Sequence, residues 1–189
     1  MKPEFLYHTG FEIIRTPDIK IGRKNADFGQ GFYLSKDEDF SRRWARERRG
    51  SETFLNTYRL DPDGLKIKRF ERDEEWFSYI FANRSGAADT LADFDVIAGP
   101  IANDTIYDTL GVITSGFLSR EQALQLLLIG PAYEQTVIKT EKAAAALHFE
   151  SAVRLSPGEI AGLRDMVKHE EEAYQEQFAR KLEELTGAS

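Results

Sequence analysis

The stretch from Asp27 to Trp44, DFGQGFYLSKDEDFSRRW, constrains the fold of this chain more than any other. Two glycines one residue apart, Gly29 and Gly31, precede the β-prone run Phe32-Tyr33-Leu34. Glycines at the entrance of a strand indicate that the backbone bends there or lets another group approach closely. We therefore expect a strand entered through a tight turn, with a surface nearby that a ligand could reach.

A helix is predicted directly after this strand, from Asp37 to Arg48, with Ser35 as its N-cap and acidic residues in its first turn. Ser41 and Trp44 are three residues apart, so they would share one face of it. With Tyr33 they make up a phenol ring, a hydroxyl and an indole, a set suited to enclose a flat ring and hydrogen-bond its substituent. The alternative is an ordinary turn with a core tyrosine and a core tryptophan, because aromatic residues are most often core.

Composition narrows the class of protein. The chain has 189 residues, 41% hydrophobic and 30% charged, which fits one soluble domain with an appendage. It has no cysteine, which excludes disulfides and thiolate metal sites, and no His and acidic residues have convincing metal spacing. The N-terminal MKPEFLYH lacks the apolar segment of a signal peptide, and apolar runs such as Leu124–Ile129 are too short to cross a membrane. We expect a cytoplasmic protein without a metal and without a membrane partner.

Charge is distributed unevenly. The net charge of −7 argues against a general nucleic-acid footprint. Five arginines nevertheless crowd one short segment after the Gly-Phe-Tyr strand: Arg42, Arg43, Arg46, Arg48 and Arg49. Two interpretations stay open, a solvated helix face or contacts with phosphates of a ligand or nucleic-acid substrate.

Short strands and helices are mixed without a regular βαβ alternation, which predicts an α+β fold. Strands are predicted at Glu4–His8, Phe32–Leu34, Thr53–Leu60, Leu65–Phe70, Phe94–Gly99, Glu134–Lys139 and Phe149–Leu155, and further helices at Asp73–Asn83, Thr105–Val112, Ser119–Leu128 and Glu141–Leu147. Asn103 and Asp104 follow a buried strand, as functional groups or as a helix cap.

A long final helix is predicted from the run Ser156-Pro157-Gly158-Glu159, which combines an N-cap, a proline at the first position and an acid at the third. Its apolar stripe extends from Ile160 to Leu185. We predict a domain over residues 1–155 and a helical extension over residues 156–189.

Three separated pieces of the sequence carry a resemblance: YHT with His8, GQGFYL with Tyr33, and QTVIK with Gln135. Their order resembles the ADP-ribosyltransferase superfamily, in the diphtheria-toxin and poly(ADP-ribose) polymerase branch, whose signature is a His-Tyr-Glu triad on three strands. The middle piece is similar to the polymerase motif Gly-x-Gly-x-Tyr-Phe, followed by a serine and an aromatic residue that hold nicotinamide. These positions match Ser41 and Trp44.

The chain to about residue 155 also resembles a bacterial family catalogued as domain of unknown function 3990. The resemblance rests on YHTG, PDIKIGRKNADFGQGFYL, the Asn83-Arg84 pair, DVIAGPIAND and QTVIKTEKAAAALHF.

The resemblance to the transferases implies two small antiparallel sheets split around an NAD cleft, with flanking helices and the C-terminal amphipathic helix. NAD would be the substrate. In the implied roles, His8 would hold an adenosine-ribose hydroxyl, and the backbone of Thr9 together with Ser41 would bind the carboxamide. The nicotinamide ring would lie between Tyr33 and Trp44, and Gly10 and Gly31 would make further NAD contacts. Arg84 would clamp the diphosphate, unless it is only an arginine at a helix end.

Gln135 stands where the resembled family carries its catalytic glutamate. The amide keeps the ability to hydrogen-bond a ribose hydroxyl, but it has no negative charge. It supplies neither ion-type stabilisation of an oxocarbenium nor a general base. In the superfamily, loss of the glutamate is associated with transfer of a single unit, and in some members with inactivity.

Three functions follow as expectations. The first is an NAD-dependent mono-ADP-ribosyltransferase acting on a protein or nucleic acid, a candidate toxin whose antitoxin or second copy would dock on the C-terminal helix. The second is a non-catalytic NAD-binding or interaction module. The third is removal of an RNA 2′-phosphate, which the arginine cluster suits but for which other basic motifs are missing.

Overall fold

The computed structural model describes residues 2–102 and 116–187 and has the predicted α+β composition. The strands are β1 (Glu4–Gly10), β2 (Phe32–Leu34), β3 (Thr53–Leu60), β4 (Ile67–Arg69), β5 (Val96–Pro100), β6 (Glu134–Ile138) and β7 (Leu147–Leu155). The helices are α1 (Glu38–Arg42), α2 (Glu74–Arg84), α3 (Arg120–Leu127), α4 (Glu141–Ala145) and α5 (Pro157–Thr186). The predicted helix Thr105–Val112, Asn103 and Asp104 lie outside the described residues.

The strands form two small sheets. One is antiparallel with the order β1-β3-β7, and the other has the order β2-β6-β5-β4. The prediction of purely antiparallel sheets is wrong for the second, because β4 pairs with β5 in parallel. The chain between these two strands includes α2, which gives the long crossover that a parallel pair needs.

The two sheets meet at β1 and β2. Tyr7 donates its N–H to the carbonyl of Ser35 at 2.8 Å and accepts from the N–H of Ser35 at 3.0 Å. This bridge, together with the β2–β6 pairing, gives the spatial sequence β3, β1, β2, β6. The strands that carry His8, Tyr33 and Gln135 are therefore spatial neighbours, although they lie far apart along the chain.

The first helix differs from its prediction. Asp37, not Ser35, is the N-cap, accepting from the N–H of Phe40 at 3.0 Å, and the helix ends at Arg42. Ser35 instead donates its hydroxyl to the carbonyl of Glu134 at 3.0 Å. The next residue, Arg43, donates to Tyr133 and to Glu170, so tertiary contacts override helix propensity there. Trp44 consequently lies in a turn beyond the helix.

Helix α5 packs on the body of the same chain. Its capping box between Ser156 and Glu159 is formed as predicted. Tyr174 and Phe178 are buried in the main core, which also contains Trp76 of α2 and Leu126 of α3. The apolar stripe is therefore buried in part against this chain, and docking of an antitoxin or a second copy on this helix stays a prediction. No helix among the described residues combines the length and the apolar character needed to cross a lipid bilayer.

Candidate functional site

A cavity of about 490 Å³ opens where the two sheets meet. Its volume falls in the range of about 300–1,000 Å³ typical of small-molecule sites. It is lined by Tyr7, His8, Thr9, Arg23, Asn25, Ala26, Asp27, Tyr33, Leu34, Ser35, Phe40, Ser41, Trp44, Arg84, Ile101 and Gln135. All the predicted site residues are thus in its wall except Gly10 and Gly31.

The two predicted glycines outside the cavity wall have different close neighbours, which explain in different ways why glycine is suited to each position. A Cβ added at Gly31 would lie 2.5 Å from the carbonyl oxygen of Ile138 and 2.5 Å from Cγ1 of Val137. Gly31 therefore lets β2 approach β6 closely. A Cβ at Gly10 would lie 3.2 Å from Nε2 of His8, so this glycine leaves that edge of the imidazole open.

The tautomer of His8 follows from its partner. Nδ1 lies 2.8 Å from the carbonyl oxygen of Tyr33, which only accepts hydrogen bonds, so Nδ1 carries the proton. Burial lowers the pKa of His8, against the opposing effect of this hydrogen bond. The neutral ring then presents a lone pair at Nε2, which is suited to accept a hydrogen bond from a hydroxyl.

Tyr33 offers its ring and not its hydroxyl. The hydroxyl donates to the carbonyl of Gly29 at 2.6 Å and accepts from the N–H of Phe28 at 3.1 Å. Burial raises the pKa of Tyr33 far above its ordinary value, so the phenol stays neutral. The ring is partly buried and packs against the main core, while another part of it lines the cavity.

The backbone of Thr9 is directed to the cavity edge of β1. Tyr7 uses both its peptide groups towards Ser35, and residues two apart along a strand direct their peptide groups to the same edge. The Thr9 hydroxyl donates to the carbonyl of Ser41 at 2.6 Å, which turns the side chain towards α1. The peptide groups of Thr9 thus face the side on which the predicted carboxamide contact would form.

Trp44 is not a core residue. It is 41% exposed and lies at the wall of the cavity, with an edge contact to Phe40 at 6.0 Å between ring centroids. Ser41, by contrast, is buried, and its carbonyl accepts the N–H of Trp44 at 3.3 Å. The core alternative for the tryptophan is therefore wrong, although the helix expected to hold Ser41 and Trp44 together ends before Trp44.

Gln135 carries the least satisfied polar group in the wall. It is 6% exposed, whereas the neighbouring Glu134 is exposed, as strand alternation predicts. The buried amide nitrogen Nε2 has no hydrogen-bond partner among the described residues. Leaving a buried donor unpaired costs about 1–3 kcal/mol. A ligand that offers an oxygen acceptor in the cavity would recover this free energy.

Arg84 is paired more tightly than the sequence indicates. It is the last residue of α2, and it contacts Asp27 at 2.8 Å with both side chains largely buried. Asn83 also donates to the carbonyl of Asp27 at 2.9 Å. Because Asp27 neutralises Arg84, Arg23 is the stronger candidate for a phosphate contact, being exposed and in the same wall.

Several residues of the wall are not predicted as site residues. They are Tyr7, Arg23, Asn25, Ala26, Asp27, Leu34, Ser35, Phe40 and Ile101. Arg23, Asn25 and Asp27 precede the glycine turn and Ile101 follows a buried strand, so the sequence offers a signal for these four residues. Among residues 2–102 and 116–187, no cluster of three or more His, Asp or Glu side chains is arranged to hold a metal ion.

Comparison with known proteins identifies the family. A family model described as "Protein of unknown function (DUF3990)" matches residues 5–149. The chain belongs to this family. The match covers β1 to the first part of β7, and so includes every residue in the wall of the cavity. The comparisons with curated proteins and with solved structures found no match.

Proposed function

We propose that this chain is an NAD-dependent mono-ADP-ribosyltransferase with a split-sheet ADP-ribosyltransferase fold. One observation carries the proposal. His8, Tyr33 and Gln135, from three strands far apart in the sequence, line one cavity on neighbouring strands, as the resemblance implies. The resemblance rests on sequence motifs alone, so this convergence is a separate observation in its favour.

The residues of the cavity suit three parts of NAD, namely a ribose, the nicotinamide ring and its carboxamide. Nε2 of His8 would accept a hydrogen bond from an adenosine-ribose hydroxyl, and the Tyr33 and Trp44 rings would enclose nicotinamide. The peptide of Thr9 would bind the carboxamide. When bound, NAD supplies a cationic leaving group. The electron pair of its glycosidic bond departs with nicotinamide, a lone pair of the acceptor bonds the ribose carbon, and the acceptor proton passes to solvent.

The third position sets the strength of catalysis. The Gln135 amide would hydrogen-bond the nicotinamide ribose and thereby position it, but it adds no negative charge beside a developing oxocarbenium. It also provides no base to activate a second ribose, which favours transfer of a single unit over chain building. A role as the toxin of a bacterial pair belongs to this proposal. An antitoxin would then contact the cavity mouth or the polar face of α5.

A second candidate function is a non-catalytic NAD-binding module, and the uncharged Gln135 is the observation that favours it. The same cavity would bind the dinucleotide, while the weak third position would leave the glycosidic bond intact. Both candidates predict that NAD binds, but only the transferase predicts that NAD is cleaved.

Nicotinamide release from NAD separates the two candidates, measured with a mixed protein and nucleic-acid extract as acceptor source. For a transferase, Gln135→Glu should raise release by about tenfold for every 1.4 kcal/mol of transition-state stabilisation recovered. Gln135→Ala should lower release, because the ribose hydroxyl loses its partner.

The matched control for these variants is Gln125→Glu, an exposed residue of α3 that adds the same charge outside the cavity wall and should leave release unchanged. Calorimetric NAD binding without release from any variant would support the binding module. Neither binding nor release would overturn both candidates.

A further inference from the structure

Charge is segregated in this molecule. Residues 1–50 contain 11 Lys and Arg and 8 Asp and Glu, a net of +3, so the remaining residues carry −10 of the total of −7. The first fifty residues also supply nearly the whole cavity wall, all except Arg84, Ile101 and Gln135. The cavity wall is therefore built mostly from the basic segment of an acidic chain.

The excess positive charge is carried by exposed side chains of this segment, of which Arg23 lies in the cavity wall and three arginines follow Trp44 in the chain. We use the name cationic rim for five exposed residues: Arg23, Lys24, Arg46, Arg48 and Arg49. None of them makes an ion pair with a described residue. The two arginines nearest to α1 differ. Arg42 pairs with Glu38 and Arg43 with Glu170, so they are not part of the rim.

The rim is not a solvated helix face, because residues 45–48 have no helical structure. Arg46 donates to the carbonyl of Arg43 at 3.0 Å, which orders the turn after Trp44. The guanidinium carbon of Arg48 lies over the ring of Phe11, 5.6 Å from its centroid. Phe11 is itself 36% exposed and follows the end of β1.

The exposed ring of Phe11 thus accompanies the guanidinium group of Arg48, which makes no ion pair with a described residue. Proteins that bind single-stranded nucleic acid combine these two elements, cations for the phosphates and aromatic faces for the unstacked bases. Arginine also suits phosphate recognition better than lysine does, through its planar fork of donors. An acidic protein partner would satisfy the charges but would leave the exposed Phe11 ring without a matching chemistry.

We propose that the cationic rim binds a single-stranded nucleic acid, which is the acceptor of the ADP-ribose unit. This inference rests on the proposed function for its chemical step but not for its binding step. In the chemical step a nitrogen or oxygen of the bound strand bonds the ribose carbon, nicotinamide leaves with the glycosidic electron pair, and the displaced proton goes to solvent. The net negative charge of the rest of the molecule confines binding to the rim.

The binding step is tested without NAD. Short fluorescent single-stranded RNA and DNA oligonucleotides of mixed sequence are titrated with the full chain, and anisotropy is followed over a series of salt concentrations. The affinity should fall as salt rises, by a slope of about 0.7 per neutralised phosphate. In the double variant Arg48→Gln/Arg49→Gln, two contacts are removed, and the slope should decrease by about 1.4. The RNA and DNA arms show which sugar is preferred.

A matched double variant controls for overall charge. Lys2→Gln/Arg59→Gln removes the same charge at the opposite end of the three-stranded sheet, since Arg59 pairs with Phe5 and the rim lies at the Gly10 end. It should leave the salt slope unchanged. Circular dichroism of each variant verifies the fold.

The outcomes separate this inference from the proposed function. Rim-dependent binding, with labelled ADP-ribose transferred from NAD to the oligonucleotide, supports both. Rim-dependent binding without nicotinamide release supports the nucleic-acid site and counts against the transferase. Absence of oligonucleotide binding, an equal effect of the two double variants, or transfer only to proteins of an extract would overturn the inference, and the last result would leave the transferase intact.

Discussion

The protonation state of His8 depends on one backbone carbonyl and on burial. The Tyr33 carbonyl fixes the proton on Nδ1, and burial lowers the pKa, so that Nε2 remains an acceptor at neutral pH. Protonation would turn Nε2 into a donor and would place a positive charge on a ring whose centroid lies 4.6 Å from that of Phe32. The ribose contact proposed for His8 therefore belongs to the neutral form.

A pH dependence of stability follows from the lowered pKa of His8. Between the folded-state pKa and the unfolded value of about 6.5, the unfolded chain binds more protons than the folded chain. This contribution to the free energy of unfolding should be fully present above about pH 6.5 and should decrease as the pH falls, by at most about 1.4 kcal/mol per pH unit for one proton.

Denaturant unfolding at about pH 7.5 and about pH 5.5 measures this effect, by comparison of the wild type with His8→Asn. The asparagine does not titrate, and its amide nitrogen can replace the Nδ1 donor. The variant should lose less stability on acidification than the wild type. The same loss in both proteins would show that His8 does not contribute.

At the scale of elements, the loop before β2 is fixed from several sides. Gly22 packs directly on Gly31, because a Cβ added to Gly22 would clash with the carbonyl oxygen of Gly31. Lys139 donates to the carbonyl of Phe28 at 2.7 Å and pairs with Asp89. Together with the hydrogen bond from the Tyr33 hydroxyl, these contacts connect the loop to β2 and to the end of β6.

Two glycine-to-alanine substitutions test this close packing. Gly31→Ala would place its Cβ against β6, and overpacking of this kind costs about 1–3 kcal/mol. Gly162→Ala, within α5 and with no atom within 4 Å of its added Cβ, should stabilise by about 0.5–1 kcal/mol because alanine is the better helix former. Denaturant unfolding measures both. Equal effects would contradict the role assigned to Gly31.

The elements show which features the sequence could predict. The capping residues Ser119, Thr140 and Ser156 are confirmed, because a cap is a contact between residues three apart. The predicted end of α1 is wrong, because Arg43 is held by Glu170 from a distant part of the chain. The parallel β4–β5 pair is missed for a similar reason, since strand order is not a local property.

The candidate site also combines features that could be predicted from the sequence with features that could not. The resemblance, and not residue spacing, brings His8, Tyr33 and Gln135 together in the prediction. The Arg84–Asp27 pair and the unpartnered Gln135 nitrogen could not be predicted, because both depend on packing between distant segments.

At the scale of the whole molecule, the C-terminal helix packs against the region that carries the family motifs, beside the cavity. The matched region 5–149 forms the wall, and α5, outside it, contacts that region through Glu170 and Arg43 next to Trp44. On the same side, Phe40 stacks on Tyr133 with 4.2 Å between ring centroids. Helix α5 therefore packs against the side of the cavity on which Trp44 lies.

The central claim is that NAD binds in this cavity with nicotinamide against Trp44, and tryptophan fluorescence during an NAD titration tests it most directly. The chain has two tryptophans, and Trp76 is fully buried with its indole N–H donating to the carbonyl of Pro100 at 2.9 Å. Only the fluorescence of Trp44 should therefore change when NAD binds. We predict a saturable change in the wild type that persists in Trp76→Phe and disappears in Trp44→Phe.

Calorimetry of Trp44→Ala completes this measurement. Loss of stacking and apolar contact should weaken NAD binding by about 1–3 kcal/mol, with the fold retained because Trp44 is exposed. A saturable fluorescence change with these dependences is the result that the account predicts. No NAD binding, or binding that leaves Trp44 emission and the Trp44→Ala affinity unchanged, would contradict it.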